Sequence, residues 1–441
     1  MPYKISISTA TIICLSAILG DTAFVVTGLP VAFIGPYSIP AYVVIGIYAA
    51  LMAIELGLLG KLHPRYKGFN YSYVNRTFGT ELGFMTGILL YVGFCAIIAS
   101  VTFSFGGYLL SLLGIHIPSL QIAIAAIIIL LLAFLNTFGL KETAQASKIL
   151  VVITLLTISS FVAFAIFYYT SNPSIAISNF MTPISPQHGL GPINALTLIV
   201  FAYSGFQVIA SLTGNVKSHG AGIRKSMVVA LAISIIVYIA ITISMMALAP
   251  ARSLESVSNP VLYVLSNSGA PPALLIAIGI GILFSIAAAT TSLILSASRI
   301  VYQMSRDGLL PRIASDRYDM KKDTPLNGIW ITAIISILIL MSGNLYTLIS
   351  ISNFGILFSW IMIGFAVINI VRRDKAEHKI DGRMMYIAAL TIALGMYLMF
   401  GLPSAALALG ISVILVLLVA YYIIVEITYG KVPRVRLFRR R

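Results

Sequence analysis

The sequence predicts an all-α integral membrane protein of about 12 transmembrane helices. Three observations predict it. Apolar residues make up 59% of the 441 and charged ones 9%, against roughly a quarter charged in ordinary globular chains, and mean hydropathy is +1.01. The apolar runs reach about 20 residues, the length that crosses a hydrocarbon core as a helix; a porin-type barrel would show alternating segments of about 10 residues instead. Lys and Arg fall in alternate loops and tails, with Arg252 alone on the other side. That bias places both termini in the cytoplasm. It also accounts for the net charge of +15 without a nucleic-acid partner. The partner implied is the lipid bilayer, and the C-terminal R-V-R-L-F-R-R-R adds contact with anionic headgroups.

Taken in order, the first span covers residues 8–34. It is too long for a signal peptide, lacks a small-residue cleavage site and carries Asp21. A tight Gly35-Pro36 turn leads to the second span, 40–61, and the basic loop K-L-H-P-R-Y-K-G-F-N-Y to the third, 82–112. Ile117-Pro118 opens the fourth, 119–139, and a basic link with Lys141 and Lys148 precedes the fifth, 148–169. A polar, proline-bearing stretch, 171–192, then lies outside the membrane. The sixth span is 193–213, the seventh 226–249 and, after an external loop, the eighth 272–304. A strongly charged loop follows, and the last four spans occupy 328–343, 346–371, 384–402 and 404–428. Residues 1–441 therefore form a single transmembrane domain with no soluble module.

Internal symmetry is the informative feature. Residues 8–169 and 193–371 follow corresponding plans, with two extra helices at 384–428. The first span of each half is expected to break at its middle, at Gly20-Asp21-Thr22 and at Tyr203-Ser204-Gly205. An odd number of spans per half inverts the halves in the membrane, giving a five-plus-five inverted repeat. Paired broken helices are the best sequence pointer to the substrate site of a secondary transporter. A single glycine in a membrane helix is commonly a packing contact; the pairing is what carries the inference. Asp21 strengthens it, because a charge near the bilayer midplane costs at least ~2.5–3.5 kcal/mol on insertion scales.

These residues resemble the amino acid–polyamine–organocation permease superfamily over nearly the whole chain. Leu19-Gly20-Asp21-Thr22-Ala23-Phe24 match the family's I-G-S-G-I-F, and Gly28 and Gly35-Pro36 follow in place. Glu55-Leu56, Pro64, Gly68, Tyr71 and Tyr73 match the region of helix two. F-A-Y-S-G-F at positions 201–206 is similar to the family's F-x-[FY]-x-G-F in helix six. R-I-V-Y-Q-M-S-R-D-G-L-L-P, from Arg299 to Pro311, is the most specific match. The resemblance implies a carrier of amino acids working by alternating access, with organic amines, polyamines or an inorganic cation such as K⁺ as alternative cargo. Substrate carboxylate and amine would lie against the backbone of helices one and six, at Gly20, Asp21, Thr22, Ala23, Tyr203, Ser204, Gly205 and Phe206. Half-helix N-termini attract anions and unwound carbonyls attract cations, which suits that arrangement.

Three departures from the family pattern matter. Asp21 replaces a small residue. Thr213-Gly214 stand where many members carry a glutamate pair, with Ser218-His219 further on in place of Asn-Pro. Thr154 stands where some proton-coupled members carry a lysine whose ammonium replaces a sodium ion.

Asp21 has three candidate roles: N-cap of a half-helix, proton acceptor that couples transport to pH, or ligand for a cation. The sequence leaves all three open. Ala287, Thr290 and Thr291 offer a carbonyl and adjacent hydroxyls like those of a sodium site in relatives, although Ser and Thr also serve as packing residues. No cofactor is implied beyond H⁺ or Na⁺ as a coupling ion. Phe201 and Phe206 are candidates for an aromatic gate or for plain core. Glu55 is expected to partner a nearby Lys or Arg. Cys14 and Cys95 are expected as buried small residues, and His63, His116, His188, His219 and His378 as solvated loop residues. The sequence shows no clustered His, Asp or Glu at the span ends for a membrane enzyme, and no phosphate loop for an ATP-driven pump.

Overall fold

The computed structural model describes residues 5–62, 69–115, 117–181, 191–212, 216, 219–255, 257, 259–342, 344–378 and 380–429. The side chains of residues 21, 69, 140–144, 212, 219, 374–378 and 424–429 lie outside the described residues. So do Pro64, Gly68, Thr213, Gly214, Ser218, His63, His116, His188 and the C-terminal basic segment.

The first span consists of α1 (Ile7–Val25) and α2 (Gly28–Ile34), and α3 (Ser38–Leu62) is the second. A short α4 (Phe69–Phe78) precedes α5 (Thr80–Leu112), α6 (Pro118–Asn136) and α7 (Leu140–Ser171). After α8 (Pro173–Met181), the sixth span runs as α9 (Pro192–Tyr203) and then as a 3₁₀ segment, Ser204–Leu212. α10 (His219–Leu248), α11 (Pro260–Asn267), α12 (Pro272–Arg306), α13 (Leu326–Leu340) and α14 (Leu345–His378) follow. α15 (Arg383–Phe400) and α16 (Ser404–Tyr429) are the last helices among the described residues. Among the described residues, 11 spans are long and apolar enough to cross a membrane, and α13 is a shorter apolar helix beside them. The only sheet among these residues is a hairpin, β1 (Tyr318–Asp319) with β2 (Thr324–Pro325), between α12 and α13.

Local chemistry sets these boundaries. The Ser6 side chain accepts from the Thr9 amide at 3.1 Å and caps α1. Proline opens α6, α9, α11 and α12, where its missing N–H costs nothing. Gly79 and Gly139, at φ +100° and +120°, make the sharp reversals into α5 and α7. The helices α4, α8 and α11 lie in stretches expected as loops; each is too short to span, so apolar run length did not reveal it.

The expected break at Gly20-Asp21-Thr22 is corrected: α1 continues as α-helix through those residues to Val25. The chain resets at Val26–Thr27 instead. Pro30 has no N–H to give the Val26 carbonyl, which accepts from the Leu29 amide at 3.1 Å. In the sixth span the change falls where expected, with α-helix ending at Tyr203 and 3₁₀ beginning at Ser204.

α1 lies at the centre, packed by α7, α9, α10, α12 and the 3₁₀ segment. α3 lies along α10, α5 between α12 and α14, and α15 against α14. Leu131 and Phe134 of α6, Leu390 of α15 and Leu415 and Val419 of α16 are exposed, as lipid-facing residues should be.

At the end of α12, one buried cation ties three elements together. The Arg299 guanidinium donates to Ser211 O of the 3₁₀ segment at 3.2 Å, and to Asp323 O and Oδ2 at 3.0 and 3.3 Å. The Tyr318 hydroxyl donates to the other Asp323 oxygen. Burial holds the Tyr318 phenol above its ordinary range, so it remains a donor at physiological pH. Removing one partner of a buried pair typically costs about 3–5 kcal/mol, because the other charge is left uncompensated. Arg299→Ala should therefore lower the melting temperature of the detergent-solubilised protein markedly. Arg299→Met combined with Asp323→Asn should lower it much less; equal losses would mean that the pair is not what holds this end together.

Candidate functional site

The change from α9 to the 3₁₀ segment lands on α1. A Cβ on Gly205 would lie 2.1 Å from Ala17 O, so the two backbones meet with no side chain between them. Cys14 Sγ, one turn earlier on α1, donates to Phe206 O at 3.2 Å. Both cysteines are buried and free, as expected.

Above that contact, two hydroxyls join α1 to α9. Tyr238 of α10 has its hydroxyl 2.6 Å from Ala202 O and 3.0 Å from Ile18 O. Thr22 Oγ1 lies 2.5 Å from Ile18 O and 3.0 Å from Ala202 O, and the two hydroxyls are hydrogen-bonded to each other. The carbonyls at the centre of the first and sixth spans thus share a pair of donors. Ala23 is buried, and its carbonyl accepts from the Thr27 hydroxyl at 2.8 Å. The backbone of Asp21 belongs to α1, directly between Gly20 and Thr22.

Aromatic rings close the site. Phe201, Tyr203 and Phe206 are fully buried. The Tyr203 hydroxyl donates to Tyr42 O at 2.9 Å, and its ring meets Tyr238 edge-on at 5.1 Å. Tyr42 stacks on Tyr238 at 5.1 Å. Ser204 Oγ turns back to Phe201 O at 2.8 Å, so it braces the helix change. Phe206 packs on Trp360 of α14 at 5.5 Å, and the Trp360 indole N–H donates to Gln207 Oε1 at 3.1 Å. Asn70 of α4 reaches the same oxygen at 3.2 Å and Ser359 Oγ at 2.8 Å.

Gly20 faces α12. A Cβ there would lie 2.4 Å from Ser285 O and 3.0 Å from the Ala289 Cβ. The Ser285 hydroxyl meets Thr154 Oγ1 at 2.8 Å, so the helix-five position discussed above lies at the seam of α1, α7 and α12. Ala287, Thr290 and Thr291 are not brought to this seam. At about 100° per residue they lie roughly 200°, 140° and 240° around α12 from Ser285. The Thr290 and Thr291 hydroxyls bond back to Ile286 O and Ala287 O, each at 2.8 Å.

Glu55 corrects another expectation. Its carboxyl is fully buried and lies 2.5 Å from the Thr391 hydroxyl of α15, with no Lys or Arg paired to it among the described residues.

Tyr238, Tyr42, Gln207 and Trp360 went unread in the sequence. Tyr238 is the sole aromatic of α10 and Gln207 directly follows Phe206. A hydroxyl or amide isolated in an apolar run is the signal that could have found them.

Residues 5–430 match the family described as amino acid permease. Over 413 residues the chain is 28% identical to the methylthioribose transporter of Bacillus subtilis (strain 168), covering 89% of this chain and 87% of that protein. It is 26% identical over 384 residues to the branched-chain amino acid permease BcaP of the same organism, covering 83% and 80%. It is 25% identical over 376 residues to the chloroplastic cationic amino acid transporter 7 of Arabidopsis thaliana, covering 80% and 63%.

Because Thr22 and Tyr238 share their acceptors, either hydroxyl can give its one hydrogen to the Ala202 carbonyl when the other is lost. Thr22→Val and Tyr238→Phe should each be mild. The double variant should lose more than the sum, by about 1–3 kcal/mol for the Ala202 carbonyl, since Ile18 O keeps its helical amide. A thermal-stability cycle on the four proteins measures it, and additive losses would rule out the sharing.

Proposed function

We propose, for a chain that belongs to the amino acid permease family, a secondary active transporter that moves amino acids across the cytoplasmic membrane by alternating access. That it is a multi-pass membrane protein moving amino acids or related small molecules follows from the family and its apolar helices. The observation that carries the finer reading is the contact of Gly205 with the Ala17 carbonyl, where the sixth span changes helix type against the first. Gly20, Asp21, Thr22 and Ala23 on one side and Tyr203, Ser204, Gly205 and Phe206 on the other would face the substrate. The Ile18 and Ala202 carbonyls, bridged by Tyr238 and Thr22, are acceptors that a substrate amine would take over. Removal of Phe206 and Trp360 from the cytoplasmic side of that point would open the exit.

Ion coupling is part of the proposal, with a proton on Asp21 as its first form. A carboxylate in the centre of the first span opposes a substrate carboxylate unless it is protonated, so proton and substrate would enter together. Sodium is the second form. It would need the Ala287, Thr290 and Thr291 group on α12 to turn toward α1. Both termini would lie in the cytoplasm, on the side that carries the Lys and Arg. The named relatives are a transporter of methylthioribose and permeases of branched-chain and cationic amino acids. An apolar or neutral amino acid fits the ring of Phe201, Tyr203 and Phe206 best.

The test is uptake into proteoliposomes by wild type and Asp21→Asn, with sodium and pH gradients imposed separately. One unit of pH supplies about 1.4 kcal/mol per proton, enough for about tenfold accumulation. Wild type should approach that with a labelled amino acid; Asp21→Asn should stay near unity yet keep exchange. Unchanged pH-driven accumulation in the variant reduces Asp21 to a helix residue, and accumulation driven by sodium alone selects the second form. If amino acids neither accumulate nor compete while an amine or K⁺ does, the substrate assignment fails.

A further inference from the structure

Glu55 is a carboxyl group that the transport site does not use. It lies seven residues from the end of α3, about 10 Å inside the helix. Its side chain is fully buried. The face of α3 that carries Gly46 and Gly57 packs on Ile235 and Arg224 of α10. Glu55 and Tyr48 point the other way, to α15 and α14, where Gly395 accommodates the Tyr48 hydroxyl and Trp360 meets the Tyr48 ring at 5.2 Å.

The charged and titratable groups around this seam are few. On α3, Lys61 is exposed at the helix end, and the Tyr48 hydroxyl lies within electrostatic reach of the carboxyl. On α15, Arg383 and Tyr386 are exposed and more than a turn from Thr391. On α14, Gly364 packs on Ala388, and Arg372 and Arg373 are exposed about two turns further on. On α10, Arg224 covers Gly57, on the opposite face of α3. α9 contributes Tyr203, whose hydroxyl is bonded to Tyr42 O, and the 3₁₀ segment contributes no ionisable group. Among the described residues, no cation pairs with Glu55.

Hydrogen counting then decides its form. Thr391 Oγ1 lies 2.5 Å from Glu55 Oε1 and 3.0 Å from Ala388 O. The hydroxyl has one hydrogen, and the Ala388 carbonyl can only accept. An ionised Glu55 would compete with that carbonyl for the hydrogen and leave Oε2, which has no partner, as a bare charge in a dry seam. A carboxylic acid satisfies both contacts at once: Glu55 donates to Thr391, and Thr391 donates to Ala388 O. We infer that Glu55 is a proton-binding site, held as the neutral acid between α3, α15 and Thr391 in this conformation.

The site is wired to the substrate region. Trp360 packs on Tyr48 on one side and Phe206 on the other, and its N–H holds Gln207. Loss of the proton places a charge in the α3–α15 seam and favours a conformation that admits water there. Proton occupancy at Glu55 therefore sets the rate at which α3 moves past the outer helices. This link, unlike the proton site itself, rests on the transport reading above.

The test uses the full chain in lipid nanodiscs and infrared difference spectroscopy in H₂O and D₂O. A protonated-carboxyl band is expected at neutral pH in wild type and in Asp21→Asn, and its loss in Glu55→Gln. Thr391→Val should shift that band to higher frequency, which keeps the question open to measurement if Glu55→Gln does not fold. Identical carboxyl bands in wild type and Glu55→Gln, or no shift in Thr391→Val, overturn the proton site. Exchange of substrate at equal pH on both sides then tests the link. The ratio of rates between the acid and alkaline sides of neutrality should fall toward unity in Glu55→Gln, from about tenfold per pH unit at most in wild type. A variant ratio equal to that of wild type overturns the link, while a chain that moves no amino acid fails the transport reading and leaves the infrared result standing.

Discussion

Hydrocarbon offers no hydrogen bonds, and every departure from the α-helix inside a bilayer must find its own donors. The fold is organised around the place where that demand is greatest. At Ser204 the sixth span tightens from α to 3₁₀, against the middle of the first span. The Ile18 and Ala202 carbonyls meet there, and the hydroxyls of Tyr238 and Thr22 serve both. Four chain segments thereby depend on one small cluster, since Tyr238 comes from α10 and its ring is stacked on Tyr42 of α3. A substrate that supplied donors of its own would release those hydroxyls. The same cluster that stabilises the closed arrangement is thus able to be exchanged for a ligand.

Close backbone approach is the second requirement. Apolar burial gives little net drive between helices already in lipid, so packing and small residues decide which surfaces meet. Gly205 brings the 3₁₀ segment onto Ala17, Gly20 brings α1 onto Ser285, and Gly355 brings α14 onto α5, where a Cβ would lie 2.1 Å from Leu89 O. These contacts account for the difference between sequence pattern and fold at Gly20. Gly20 beside Asp21 looked like a break, because a glycine that weakens a helix and one that admits a neighbour are written identically. The structural signal was ten residues later, in the missing N–H of Pro30.

The spans were legible because their cause is local: run length, polarity and the side on which Lys and Arg fall are all properties of the sequence itself. The helix change at Tyr203-Ser204-Gly205 was legible for the same reason. Tyr238 and Gln207 were not, because their importance comes from partners 220 and 153 residues away. Short α4, α8 and α11 were hidden too, being helices that hydropathy does not distinguish from loops. Thr154 lies between these cases. Counting along helix five located it, and only the fold shows its hydroxyl beside Ser285 and the Gly20 contact.

Buried charge is the remaining constraint, and it is met differently at each site. Arg299 is compensated by Asp323 and by two carbonyls, so its cost is offset by pairing and it locks the 3₁₀ segment to the β1–β2 hairpin. Glu55, as far from the end of α3 as Arg299 is from the end of α12, has a single hydroxyl beside it. A group with one neutral partner relieves its burial by taking up a proton, whereas a paired group has no such route. The consequence is directional. Opening the seam around Glu55 changes its charge, while opening the end around Arg299 separates a pair whose charges are fixed. The two sites therefore hold different helices with different dependence on pH, and only the one at Glu55 can be released by loss of a proton.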